Sequence, residues 1–197
     1  MTNEPITEAD YDAPDPTPRV LAALQLKEAW NRYCAASDNF HAALYKIAVG
    51  EVVNPICGMD EMLWLANKTD KAYEMRRDAD LNGRGMNGLR YVRNAHTHNF
   101  VTAAETPVAV GFGWMSGPSG MKPTTLIQAH WRSLIEDERT EDLNGRQTIQ
   151  RNVYEAELAG HSVKQSLLRA MRFLRDEGCL EEGFGRYLDT YAPAIMT

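Results

Sequence analysis

From Leu26 onward the side chains Leu26, Trp30, Tyr33, Phe40, Leu44 and Ile47 recur in alternating steps of three and four, with Ser37 filling the missing place. That spacing gathers them on one stripe of a helix, whereas a strand needs a step of two. Thr17-Pro18 supplies a start: a hydroxyl cap, then a proline whose missing N–H costs nothing at the first helical position. Gly50 supplies an end. The pattern predicts one amphipathic helix of about 30 residues. A helix of that length with one apolar face needs other helices to cover it.

The remaining chain offers them. Residues 50–58 read as a loop around Asn54-Pro55. A second helix is expected from Asp60 to about Arg77, burying Met62, Leu65, Ala66, Ala72 and Tyr73, until Leu81-Asn82-Gly83-Arg84-Gly85 breaks it. A shorter third helix follows over about Asn87 to Asn99. The period then changes to two in Val108, Val110, Phe112 and Trp114, and again in Ile127, Ala129 and Trp131 beyond Gly117-Pro118-Ser119-Gly120. This predicts a β-hairpin at about 107–132 with Trp114 and Trp131 on one face. Helical pattern returns from about Thr148 to Gly160. Ser162 with Gln165 forms a capping box for a last helix carrying Val163, Leu167, Met171 and Leu174, closed by Gly178. A final segment with Phe184, Tyr187, Leu188 and Tyr191 is expected to pack back.

The expected fold is therefore mainly α: a bundle of four to five helices with an inserted hairpin, one domain over residues 17–197. Residues 1–16 carry Glu4, Glu8, Asp10, Asp12 and Asp15 among prolines, the composition of a disordered acidic tail. The net charge of -6 argues against a general nucleic-acid coat while leaving room for a local basic patch. No apolar run approaches the roughly 20 residues that span a bilayer, so no membrane is expected. The acidic start lacks the pattern of a signal peptide. Cys34, Cys57 and Cys179 are scattered without metal-ligand spacing, which fits reduced thiols in a cytoplasmic protein and no cofactor.

The third helix carries the chemistry. It reads Leu89-Arg90-Tyr91-Val92-Arg93-Asn94-Ala95-His96-Thr97-His98. An arginine, a polar residue directly after it and a histidine five places on resemble the signature of HEPN domains. The resemblance implies a HEPN-like four-helix bundle with a metal-independent RNA-cleaving site, completed across a homodimer. It implies Arg93 and His98 as the catalytic pair and Asn94 as the supporting polar residue. It points to an endoribonuclease, of the kind found in toxins and phage defence, with RNA as substrate and an antitoxin or other regulator as protein partner. The alternative is a HEPN-like binding module without catalysis, acting as antitoxin, adaptor or phage accessory protein. The stretch Tyr154-Glu155-Ala156-Glu157-Leu158-Ala159-Gly160, taken with Leu89–Asn94 and the tryptophan hairpin, is also similar to uncharacterised proteins of actinobacteria and their phages.

The chemistry stands on the residue types themselves. RNA carries its own nucleophile, the 2′-hydroxyl, and an imidazole with a pKa near 6.5 can take its proton near neutral pH. A guanidinium can grip the scissile phosphate through two parallel hydrogen bonds. Asn94 and His98 stand four apart, on one helix face, so the amide can orient the imidazole. Arg93 and His98, five apart, point about 140° from one another on a regular helix, which ties the site to a second subunit or a frayed helix end. Arg76, Arg77, Arg84, Arg90 and Arg93 form a basic stretch against only Asp78 and Asp80, and Arg77, Arg84 and Arg90 are candidate phosphate contacts. His96 shares a face with Leu89 and Val92 and reads as core. His41, His130 and His161 read as surface or loop positions. No metal site emerges: His96 and His98 diverge on a helix, and no acidic or cysteine partner stands nearby.

Overall fold

A computed structural model describes residues 5–38, 42–69, 71–94, 100–108, 124–134 and 144–184. The chain is mainly helical. In order it runs α1 (Glu8–Tyr11), α2 (Pro18–Asp38), α3 (Ala42–Ala66), α4 (Ala72–Ala79), α5 (Met86–Asn94), β1 (Val101–Val108), β2 (Thr124–Trp131), α6 (Gly145–Glu157) and α7 (Val163–Asp176).

The helix start at Thr17 is as read from the sequence, with the Thr17 hydroxyl accepting from the Val20 amide at 3.4 Å. The single long helix is not. Two helices, α2 and α3, lie on either side of residues 39–41 and fold against each other. The Tyr33 and Tyr45 hydroxyls meet at 2.6 Å, and Arg32 pairs with Glu51 at 2.6 Å. The interruption resets the helical phase. Leu44 and Ile47, expected in the stripe, are 52% and 57% exposed, while Tyr45, Ala48, Val49, Val52 and Val53 are buried.

Gly50 and Asn54-Pro55, read as a terminus and a loop, lie inside α3. The reason is position. Helix α3 packs against α2, α4, α5, α7 and β1, so its whole length repays burial, Pro55 included. A helical glycine costs only about 1 kcal/mol, and proline costs about 3. Burying Val49, Val52, Val53 and Ile56 outweighs both, at roughly 1.5–3 kcal/mol per side chain. The expected second helix is likewise divided, α3 ending at Ala66 and α4 beginning at Ala72, with Leu65 exposed and Tyr73 buried.

Residues 5–16, expected as part of a disordered tail, contain α1 with a capping box between Thr7 and Asp10, and Ile6 is buried in the core. The hairpin begins earlier than expected. Its antiparallel register runs from Val101 opposite Trp131 to Val108 opposite Thr124. Val101, Ala129 and Trp131 are buried while Thr102 and His130 are exposed, the alternation foreseen for the second strand. Val110, Phe112 and Trp114 fall outside the described residues. The base of the hairpin is held by Arg132 N–H to Phe100 O (2.8 Å), Gly160 N–H to Trp131 O (2.8 Å) and the Tyr154 hydroxyl to Arg132 O (2.5 Å).

The capping box of α6 is Asn144 with Gln147, so the helix starts three residues before the expected Thr148. Helix α7 follows its reading in its stripe and ends, and of the expected capping box it forms the half in which the Ser162 side chain accepts from the Gln165 N–H. Ser162 caps it, Val163, Leu167, Met171 and Leu174 are buried, and Gly178 takes a positive φ of 76° just beyond its end. Helices α5 and α6 touch at Gly88. A Cβ there would stand 2.9 Å from Leu158 Cδ1 and 3.0 Å from Tyr154 Cα.

Two measurements follow from this packing. Gly88→Ala should destabilise the protein by about 1–3 kcal/mol through overpacking, although alanine is the better helix former. The urea midpoint would report it, and an unchanged or higher midpoint would show that α5 and α6 separate freely. Burial raises the thiol of Cys57 to about 12, that of Cys179 to about 11 and the phenol of Tyr45 to about 12. Each is therefore favoured in its neutral form by folding. That stability is whole below the unfolded values of 9 to 10 and is lost as pH rises toward 12. Urea midpoints should accordingly hold to about pH 9 and fall steadily above it.

Candidate active site and polar recess

Asp60, on α3, has no exposed surface. A lone carboxylate there would be strongly disfavoured, and three neighbours compensate it. Arg90 of α5 approaches its Oδ2 with Nε at 2.6 Å. Arg77 of α4 places Nη1 at 3.5 Å from Oδ1, and the Tyr73 hydroxyl donates to Oδ1 at 2.5 Å. Both arginines are only 4% exposed. Burial opposes the charge of Arg77, yet Asp60 and Asp78 outweigh it and hold its pKa above the ordinary arginine value. Burial and the neighbouring Asp60 charge push the Tyr73 phenol well up.

Arg77 and Arg90, expected as phosphate contacts on an open basic stretch, are buried rather than open. Each is turned inward toward a carboxylate. Arg84 is exposed but pairs with Glu157 at 2.7 Å, and Arg76 pairs with Glu177 at 2.9 Å. The carboxylates come from α3, α6 and the end of α7, so a count of nearby acids along the chain could not find them.

Arg93 lies one turn beyond Arg90 and nearer the surface. Its side chain is 28% exposed, with Nη1 3.6 Å from Glu61 and Nε 3.4 Å from the Asn94 side-chain oxygen. Asn94, the last residue of α5, is exposed. Arg93 and Asn94 are thus adjacent and at least partly accessible. His96 and His98 fall outside the described residues, and so does the expected extension of α5 to Asn99. His130 and His161 are exposed, and His41 lies outside the described residues.

Glu61, Arg90, Arg93 and Asn94 form one side of a recess of about 220 Å³. The first turns of α6 form the other, through Asn144, Arg146 and Gln147. The two helices run antiparallel, since Gly88 meets Tyr154 and Leu158 while Asn94 faces the start of α6. Arg146 stacks over the Trp64 ring at 5.7 Å, and Trp64 Nε1 donates to Glu74. Sequence reasoning missed the α6 contribution. Asn144-x-x-Gln147 is a capping signature, and it would have drawn Arg146 into the first turn of a helix.

Cys57 lies near Arg93, but burial raises its thiol to about 12 against the pull of that charge, so it is no nucleophile at neutral pH. Among the described residues no group of three or more His, Cys, Asp or Glu could hold a metal ion. No helix of the described residues is long and apolar enough to cross a membrane. No family model matches this chain, and no curated protein or solved structure matches it.

Asp60→Asn should cost about 3–5 kcal/mol in chemical denaturation, because it leaves two buried guanidiniums facing a neutral group. Arg32→Gln, which breaks the exposed pair with Glu51, should cost no more than about 1 kcal/mol. Equal losses from the two would show that the Asp60 cluster is not what holds α3, α4 and α5 together.

Proposed function

We propose that the protein is a HEPN-type endoribonuclease that acts as a homodimer, as a toxin or a phage-defence component. The observation that carries the reading is the placement of Arg93 and Asn94, side by side at the accessible end of α5 on the wall of a polar recess, five and four residues before His98. In the reaction His98 takes the proton of a ribose 2′-hydroxyl. The 2′ oxygen attacks the adjacent phosphorus, and the bond to the 5′ oxygen of the next nucleotide breaks. The products are a 2′,3′-cyclic phosphate and a 5′-hydroxyl, and the leaving oxygen receives its proton from the histidine of the second copy. Arg93 grips the non-bridging oxygens as their charge grows, and its loose pair with Glu61 yields to that stronger contact. Asn94 orients the imidazole. RNA supplies the nucleophile, so the chemistry needs no metal.

A second reading is a HEPN-like module that binds without cleaving, as antitoxin, adaptor or phage accessory protein. It draws support from the arginines of the expected basic stretch, since Arg77, Arg84 and Arg90 each face a carboxylate and leave no extended cationic surface there.

Inducing the wild-type protein should arrest growth and fragment cellular RNA, leaving 2′,3′-cyclic phosphate ends. His98→Ala, expressed and folded equally, should lose both effects, and Arg93→Gln should reduce cleavage by about two orders of magnitude or more. Cleavage that survives in His98→Ala would remove His98 from the site. Intact RNA from wild type under every inducing condition would favour the binding module.

A further inference from the structure

The recess between α5 and α6 is built for more than one arginine. It is assembled around the N-terminus of α6, where amides of the first turn have no intrahelical acceptor and the helix dipole is positive. Such a terminus attracts anions in any helix, and by itself it identifies nothing. Here a second observation points the same way. Arg90 is 4% exposed, its Nε faces Asp60, and its Nη2 has no hydrogen-bond acceptor among the described residues, while the side chain forms part of the recess wall. A buried guanidinium nitrogen without an acceptor is costly, and a bound oxyanion would satisfy it.

The charges agree. Among the described residues, three guanidiniums, those of Arg90, Arg93 and Arg146, border the recess with one carboxylate, that of Glu61. Arg146 stands in the first turn of α6 and is steadied by the Trp64 ring, so it is partly positioned before any ligand arrives. The side-chain amides of Asn94 and Gln147 add neutral partners at the rim.

We propose that this recess is a phosphate-binding site, with Arg146, Arg93 and Arg90 Nη2 as its cationic contacts and the first turn of α6 as its floor. Its volume of about 220 Å³ is below the roughly 300–1,000 Å³ of sites for whole drug-sized ligands. It therefore takes a phosphoryl group with part of its sugar, and the rest of the molecule lies outside. Planar guanidiniums and helix amides suit tetrahedral oxyanions and discriminate against spherical chloride. The proposal rests on Arg93 as the phosphate contact, as the ribonuclease reading does, but it requires neither His98 nor cleavage. Within that reading the recess seats a phosphate beside the scissile one and sets the register of the strand.

The test is thermal unfolding of the full chain with inorganic phosphate, against sodium chloride at equal ionic strength. Binding to the native state alone raises the melting temperature as phosphate increases. The expected result is a rise specific to phosphate. Arg146→Gln, at an exposed position, should weaken binding by about tenfold or more. Glu61→Gln should tighten it by releasing Arg93. A distant control, Arg175→Gln, should bind as wild type does. Stabilisation no greater than that from chloride, or identical in wild type, Arg146→Gln and Glu61→Gln, overturns the proposal. Two arms identify the source of the phosphate. A labelled single-stranded RNA without terminal phosphates that inorganic phosphate displaces names the RNA backbone as the natural occupant. Phosphate that binds without displacing it names a free phosphate or a small phosphate ester. Running the series in His98→Ala separates the two readings. Retained phosphate binding with no cleavage by wild type sinks the ribonuclease alone, and lost binding with retained cleavage sinks the recess alone.

Discussion

The carboxylate of Asp60 sits where three helices meet, with no surface to water, and the contacts that make its burial tolerable come from two other helices, α4 and α5. Taking such a charge out of water costs several kcal/mol, and opposite charges at short range offset that only when the geometry is good. Tyr73 and Arg77 bring α4 to it, and Arg90 brings α5. An apolar replacement could match the stability. What an apolar contact would lack is a charge to face. The Arg90 guanidinium, 2.6 Å from Asp60, keeps that side of α5 turned toward α3.

That orientation governs the candidate site. Arg93 follows Arg90 by three residues, on a neighbouring part of the helix surface, so locking Arg90 inward sets Arg93 at the edge of the recess. Gly88 sets the second coordinate. With no side chain it lets α5 approach Tyr154 and Leu158, and a Cβ would not fit without a shift. The antiparallel approach brings the end of α5 to the start of α6, joining a helix terminus of negative partial charge to one of positive. Arg93 and Arg146 then stand across one small opening although 53 positions separate them in the chain.

How much of this was legible depended on range. The start of α2 at Thr17-Pro18, the capped and striped α7 and the alternation at Ala129, His130 and Trp131 are local signals, and they read correctly. The continuity of α3 through Gly50 and Pro55 was not legible, because both residues are breakers locally and only burial on several sides overrides them. The reset of phase at Leu44 and Ile47 was hidden for the opposite reason, since the apolar spacing continues across the boundary between two helices. At the site, the sequence gives only that Arg93 and Asn94 are neighbours; their place at the accessible end of α5 comes from the packing. The inward turn of Arg77 and Arg90 was not legible either, for nothing near them in sequence announces Asp60.

The same distinction explains how an acidic chain can present a place for phosphate. The net charge of -6 describes the field at a distance, where salt screens it within about 8–10 Å. Inside a partly enclosed recess the nearest few charges dominate, and the surrounding protein screens them less than water does. Along the expected basic stretch each arginine meets a carboxylate within 4 Å, so the stretch is nearly neutral despite its composition. At the head of α6 the balance reverses, with Arg146 stacked on an aromatic ring and Arg93 facing Glu61 only loosely. The proposed phosphate site is a property of one helix junction, which counting charges along the sequence does not reveal.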